Sequence, residues 1–173
     1  QGGFFQTASD GEALILRNRE VYDGAIPSGN SVMLWNLARL GRLVGKPEYE
    51  DRVESMSKLF SLAVQRTPQA HTQFLIGLDF YLGPTRELVI SGAEQGEPTQ
   101  AMLRALAPEF LPRLVTLVRP PGDAAILSLA PYAKALVAPA GKTLAYLCEN
   151  HACKEPVATV QALLDALGIP QDR

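Results

Sequence analysis

The chain has 173 residues, 47% of them hydrophobic and 20% charged, with a formal net charge of −2. This is the composition of a globular protein with room for one full domain or two small ones. Sixteen lysines and arginines against eighteen acidic residues form no basic run, which excludes the concentrated positive face that nucleic-acid binding requires.

No apolar run approaches the roughly 20 residues that cross a bilayer, and no signal peptide opens the chain. Two cysteines are too few for a disulfide-stapled secreted scaffold. The expectation is a cytoplasmic protein without membrane or nucleic-acid partners. Residue 1 is Gln rather than Met, so the natural start is expected to lie elsewhere.

Residues 2–8 read as a short strand around Phe4 and Phe5, Ser9-Asp10-Gly11 as a turn, and residues 12–21 as a loosely alternating second strand. Together they predict a β-hairpin. Asp23-Gly24 and Pro27-Ser28-Gly29 then break the chain twice. A first helix is predicted over 31–44, with Asn30 or Ser31 as N-cap and Gly45 just past its end. Its opening, Val32-Met33-Leu34-Trp35, is apolar on all sides, the pattern of a deeply buried helix. A second helix over 47–66 carries a stripe of Tyr49, Val53, Met56, Phe60 and Ala63. A third begins at Thr67-Pro68, carries Phe74, Leu75, Leu78 and Tyr81, and stops at Gly83-Pro84.

The short links predict antiparallel neighbours. Three helices and a hairpin do not close a core of this width. The first helix therefore calls for partners outside the sequence, and its uncovered apolar surface predicts a homo-oligomer.

After Pro84 the pattern changes to buried strands alternating with helices. Strands are predicted over 87–91, 114–118 and 143–148. Helices are predicted over 99–107 with Met102, Leu103 and Leu106 inward, over 124–130, and over 159–167 with Thr159 as N-cap and Gly168 past the end. A rigid loop, Arg119-Pro120-Pro121-Gly122-Asp123, follows the second strand. This alternation implies parallel βαβ units with right-handed crossovers. The expected fold class is α+β: a helical domain with a β-hairpin over 1–84, then a small α/β domain with about three parallel strands over 85–173.

Three stretches, GGFFQTASDGE, RNREVYDGAIPSGNS and AYLCENHACKEPV, resemble the C-terminal part of a large multi-domain family, the spermatogenesis-associated thioredoxin-like proteins. The resemblance runs essentially end to end. It implies a thioredoxin-like head and a six-hairpin α/α toroid similar to N-acylglucosamine 2-epimerases and six-hairpin glycosidases. On that basis residues 1–84 are terminal hairpins of the toroid, and the GGF…DGE segment rims its central pocket. The implied partners are the rest of the toroid, the thioredoxin-like head and a sugar-like small molecule. Activity in the family is poorly defined, so the resemblance implies a fold more firmly than a reaction.

Asp10, Glu12, Arg17, Glu20, Asp23 and Asn30 place six polar groups within one loop. Sugar chemistry uses paired carboxylates as acid and base, with Arg and Asn to hold hydroxyls. Glu20 and Asp23 flank Tyr22, a stacking platform, and are the acid–base candidates. Asp10, Glu12, Arg17, Tyr22, Ser28 and Asn30 are the pocket-lining candidates. The alternative is structural: helix caps, backbone satisfaction and ion pairs such as Arg17–Glu20. Ser28, preceded by Pro27, does not sit in a nucleophile elbow and is read with Asn30 as fixing the turn and capping the helix.

Cys148 and Cys153 are too far apart for a C-x-x-C pair. They read first as apposed thiols, then as a disulfide or redox-responsive pair, and last as metal ligands with His151. Ser91–Gly96 lacks the phosphate-loop signature and reads as a plain connection. His71 reads as a surface or helix-face residue. No metal and no cofactor is called for. Three functional readings result: one side of a carbohydrate-active-type cavity, a non-catalytic scaffold, or a redox-responsive tail.

Overall fold

The computed structural model describes residues 2–12, 14–149 and 152–170. The chain divides into two compact units. The first holds Lys46–Gly83 and the residues up to Arg42; the second holds Leu43–Gly45 and the residues from Pro84 on. Among the described residues no helix is long and apolar enough to cross a membrane.

In the first unit, helices α1 (Gly29–Val44), α2 (Pro47–Arg66) and α3 (Thr72–Leu82) follow one another, with a 3₁₀ turn, Pro68–Ala70, before α3. Of the cap candidates Ser28, Asn30 and Ser31, it is Ser28 that supplies the N-cap of α1: its Oγ accepts from the Ser31 amide at 3.1 Å. Gly45 follows the last turn at φ +66°, a conformation that favours glycine. Across the two-residue link, Arg42 Nε and Glu50 Oε1 lie 3.3 Å apart.

The core faces of the helices are narrower than their composition suggests. α1 buries Leu34, Leu37, Ala38 and Gly41, whereas Val32 is exposed and Met33 and Trp35 are half-buried; the helix is not buried all round. α2 buries Val53, Met56, Phe60 and Val64, so the stripe ends on Val64 and leaves Ala63 outside. α3 turns Phe74, Gly77 and Phe80 inward in place of the expected Leu75, Leu78 and Tyr81. Gly77 sets this register. A Cβ there would come within 2.5 Å of Leu34 Cδ2 and 3.0 Å of the Trp35 backbone nitrogen. Phe80 meets Trp35 edge-on at 5.6 Å, and Phe60 meets Phe74 at 5.9 Å.

The second unit carries a four-stranded mixed sheet of order β2-β1-β3-β4, made of β1 (Arg86–Ser91), β2 (Leu114–Arg119), β3 (Leu144–Glu149) and β4 (Ala152–Cys153). β1 and β2 are parallel, joined through α4 (Glu97–Leu106). β3 is antiparallel to β1, with Leu88 opposite Leu147, which corrects the expectation of three parallel strands.

A parallel return needs a crossover helix packed on the sheet, and α4 is one, burying Thr99 and Met102. α5 (Ala124–Leu129) is six residues long and buries none of them, and the 3₁₀ segment Pro131–Ala135 follows. The chain enters β3 from the end of the sheet at which it left β2.

α4 and α6 (Val160–Leu167) cover one sheet face. They bury Met102, Leu163 and Leu167 against Leu88, Ile90, Leu114, Ala145 and Leu147. α6 has its expected boundaries. Thr159 Oγ1 accepts from the Ala162 amide at 3.2 Å, and Gly168 closes the helix in the left-handed region.

Candidate functional site

The polar segment before α1 is irregular. Among its described residues there is no strand, which corrects the predicted β-hairpin. The limbs do meet, through Gln6 N–H to Asn18 O at 3.0 Å. A lone two-stranded ribbon is marginal, and Gly3 at φ +75° leaves the extended region. Side chains take over the backbone pairing.

Asn30, buried at the start of α1, does most of it. Its Oδ1 accepts from the Phe4 amide at 2.7 Å, while Nδ2 donates to Phe4 O at 3.0 Å and to Glu20 O at 2.8 Å. One amide side chain thus bridges both limbs. Arg17 donates to Thr7 Oγ1 and Thr7 O at 3.1 and 2.7 Å. Arg19 donates to Gly2 O at 2.9 Å. Both guanidinium groups lie over the Phe5 ring, at 4.2 and 4.0 Å from its centroid.

Asp23 is engaged on both carboxylate oxygens. Oδ1 accepts from the Ser28 amide at 2.9 Å, and Oδ2 accepts from the Gln73 and Phe74 amides at 2.9 and 3.1 Å. Its own N–H donates to Ala70 O at 2.8 Å. The residue preceding α3, His71, offers no side-chain cap. Asp23 caps α3 from 50 residues away, satisfying orphan first-turn amides and placing negative charge at the positive end of the helix. His71 is buried rather than on the surface, with Nδ1 2.8 Å from Thr67 O. Ser28 is also buried, donating to Ser31 Oγ at 2.8 Å.

The other candidates face outward. Asp10, Glu12, Glu20 and Tyr22 are all exposed. Glu20 Oε2 accepts from Gln6 Nε2 at 2.6 Å, so the Gln6 amide holds the carboxylate where an Arg17 ion pair was considered. A surface depression of about 270 Å³ lies beside the segment, lined by Gly2, Gly3, Phe4, Asp51, Arg52 and Ser55. None of the sequence-derived candidates lines it. Asp51, Arg52 and Ser55 gave no motif signal, being ordinary solvent-face residues of α2.

In the second unit, Cys148 and Cys153 form a disulfide with an S–S distance of 2.04 Å. This corrects the first reading of apposed thiols. The two residues face each other in the β3–β4 ladder, and β4 was not anticipated because two residues carry no periodicity. His151 lies outside the described residues. Ser91–Gly96 is a plain β1–α4 connection. Gly92 packs on the hydroxyls of Thr99 and Thr143, and Ser91 Oγ accepts from Arg119 and from the Ala138 amide at 3.2 and 3.1 Å.

The chain is similar to spermatogenesis-associated protein 20 of Homo sapiens, 30% identical over 158 residues, which is 90% of this chain and 20% of that protein. The protein of the same name from Rattus norvegicus is 30% identical and that from Mus musculus 29% identical, each over the same shares. The chain therefore spans about a fifth of the length of the curated relatives it matches. No protein-family profile and no solved structure matches it.

Proposed function

The chain is homologous over nine-tenths of its length to spermatogenesis-associated protein 20, the family its motifs resemble, and on that premise we propose that residues 2–28 form one wall of a polar-ligand cavity of the carbohydrate-active type. The cavity is completed by segments of a longer protein. On this reading α1–α3 are terminal hairpins of an α/α toroid, residues 85–173 are a separate small α/β domain, and the setting is cytoplasmic.

One observation carries the reading, a division of labour within the loop. Ser28, Asn30 and Asp23 hold the backbone from below, and Asp10, Glu12, Glu20 and Tyr22 are left exposed. Carboxylates accept hydrogen bonds from sugar hydroxyls, and an aromatic face stacks on the apolar face of a sugar ring. A rigid support for such groups is what specific binding requires. Glu20 is the acid–base candidate compatible with this arrangement, and Asp23 acts as a positioning residue.

A second reading, a non-catalytic scaffold, is favoured by the same engagement of Asp23. With that carboxylate spent on backbone amides, Glu20 loses its partner in the Glu20–Asp23 acid–base pair. The experiment is hydrogen exchange on the longer protein titrated with neutral and amino sugars. Slowed exchange over residues 2–28 supports the cavity. Exchange that no sugar alters supports the scaffold.

A further inference from the structure

We propose that Cys148–Cys153 is a reversible dithiol–disulfide exchange site whose oxidised form clamps β4 onto the outer edge of β3. The proposal is independent of the cavity reading and concerns the second unit alone.

The two cysteines differ in exposure. Cys148 sits within β3 and is 4% exposed, whereas Cys153 is on the two-residue edge strand and is exposed. A thiolate must reach the sulfur it attacks, so Cys153 Sγ is the target. In the first step an external dithiol forms an S–S bond to Cys153 Sγ. The Cys148–Cys153 bond breaks, and Cys148 leaves with the electron pair and takes a proton. In the second step the other thiol of the reductant displaces Cys153, which is likewise protonated. The reductant becomes a cyclic disulfide, and two electrons and two protons have passed to the protein. Reoxidation runs the same steps in reverse with a disulfide oxidant.

The β3–β4 pairing is built to respond. β4 has two ladder pairs, Cys148–Cys153 and Glu149–Ala152, and Lys154 N–H donates to Leu147 O at 2.9 Å. Downstream, the chain is anchored separately. Val157 and Ala145 exchange two backbone hydrogen bonds of 2.8 and 2.9 Å, and α6 places Leu163 and Leu167 in the core. Cleavage therefore loosens the segment from Ala152 to Lys154 while the sheet core keeps its contacts. It also uncovers backbone groups of β3, and a bare strand edge is a template for pairing.

Cys148 and Cys153 are the whole cysteine complement, so thiol counting is unambiguous. The native chain is treated with dithiothreitol, then with oxidised glutathione, with alkylation and mass analysis after each step. The expected result is two thiols, then none. Lys154 amide exchange should become about tenfold faster or more in the reduced form, while Ala145 and Val157 stay protected. Cys148→Ala should react with an aromatic disulfide reagent about tenfold or more faster than Cys153→Ala. Reduction that occurs only after unfolding overturns exchange and leaves a structural staple. Lys154 exchange equal in both forms overturns the clamp. Equal reactivity of the two variants overturns Cys153 as the target.

Discussion

Replacing Asp23 with alanine should unfold the first unit at a markedly lower temperature. Three backbone amides lose their acceptor, those of Ser28, Gln73 and Phe74, now bound at 2.9, 2.9 and 3.1 Å. An N-cap alone is worth about 1 kcal/mol, and the favourable charge at a helix N-terminus adds roughly 0.3–1 kcal/mol. The Ser28 amide contributes a further hydrogen bond to a charged acceptor, about 1.5 kcal/mol at the low end for a half-buried group. The total is about 3 kcal/mol. For a unit of this size each kcal/mol shifts the midpoint by roughly 4–8 °C, so the fall should be about 12–24 °C. Asp23→Asn keeps one acceptor oxygen and should lose about half as much.

The reporter is built in. The single tryptophan, Trp35, packs on Phe80 of α3, so its emission follows the helix that Asp23 caps. A melting curve unchanged by Asp23→Ala would refute the cap. If ligand binding or turnover vanished at the same time, Asp23 would return to the catalytic reading.

Gly77→Ala should destabilise the same unit by about 1–3 kcal/mol in urea, because its Cβ would meet Leu34 Cδ2 at 2.5 Å; a neutral result would show that α1 and α3 separate freely. Burial and then the Glu87 carboxylate push the Tyr132 hydroxyl up from 10.0 to about 12. The folded state thus keeps a proton that the unfolded state releases. Stability should be intact below pH 10.0 and fall as pH rises through about 12; Tyr132→Phe should flatten that fall in denaturant titrations, and an identical slope would contradict it. Leu14, Ile15 and Leu16 are all exposed, so the chain should associate, and Ile15→Ser should shift light scattering toward the monomer; a monomeric wild type would contradict this.

Elements with local signals were legible in the sequence. Thr159 and Gly168 bracket α6 because a cap hydroxyl and a left-handed glycine act over one turn. α2 begins at Pro47 and ends at Arg66 as its pattern predicts. What escaped depends on distant partners. Phe4 and Phe5 suggested a strand, but buried Asn30 takes the hydrogen bonds a second strand would have offered. Asp23 carried a catalytic residue's signature, a carboxylate in a polar loop, while its acceptors' partners lie 50 residues away. β3 runs antiparallel because α5, with no buried residue, is not a crossover helix packed on the sheet, which its sequence pattern did not reveal. Cys148 and Cys153 form a disulfide because the two-residue strand β4 places them opposite one another.

The central claim, that residues 2–28 line a ligand cavity, is tested most directly by sugar affinity in the longer protein with Glu20→Gln and Tyr22→Ala. Glu20→Gln keeps one acceptor oxygen but loses the charge, and a hydrogen bond to a charged acceptor exceeds a neutral one by roughly 1–1.5 kcal/mol, so the account predicts about 5- to 10-fold weaker binding. Tyr22→Ala should weaken binding in the same direction. Both side chains are exposed, so both variants should melt where the wild type does. Unchanged affinity in both variants, or no measurable sugar binding by the intact protein, would contradict the cavity and leave the scaffold.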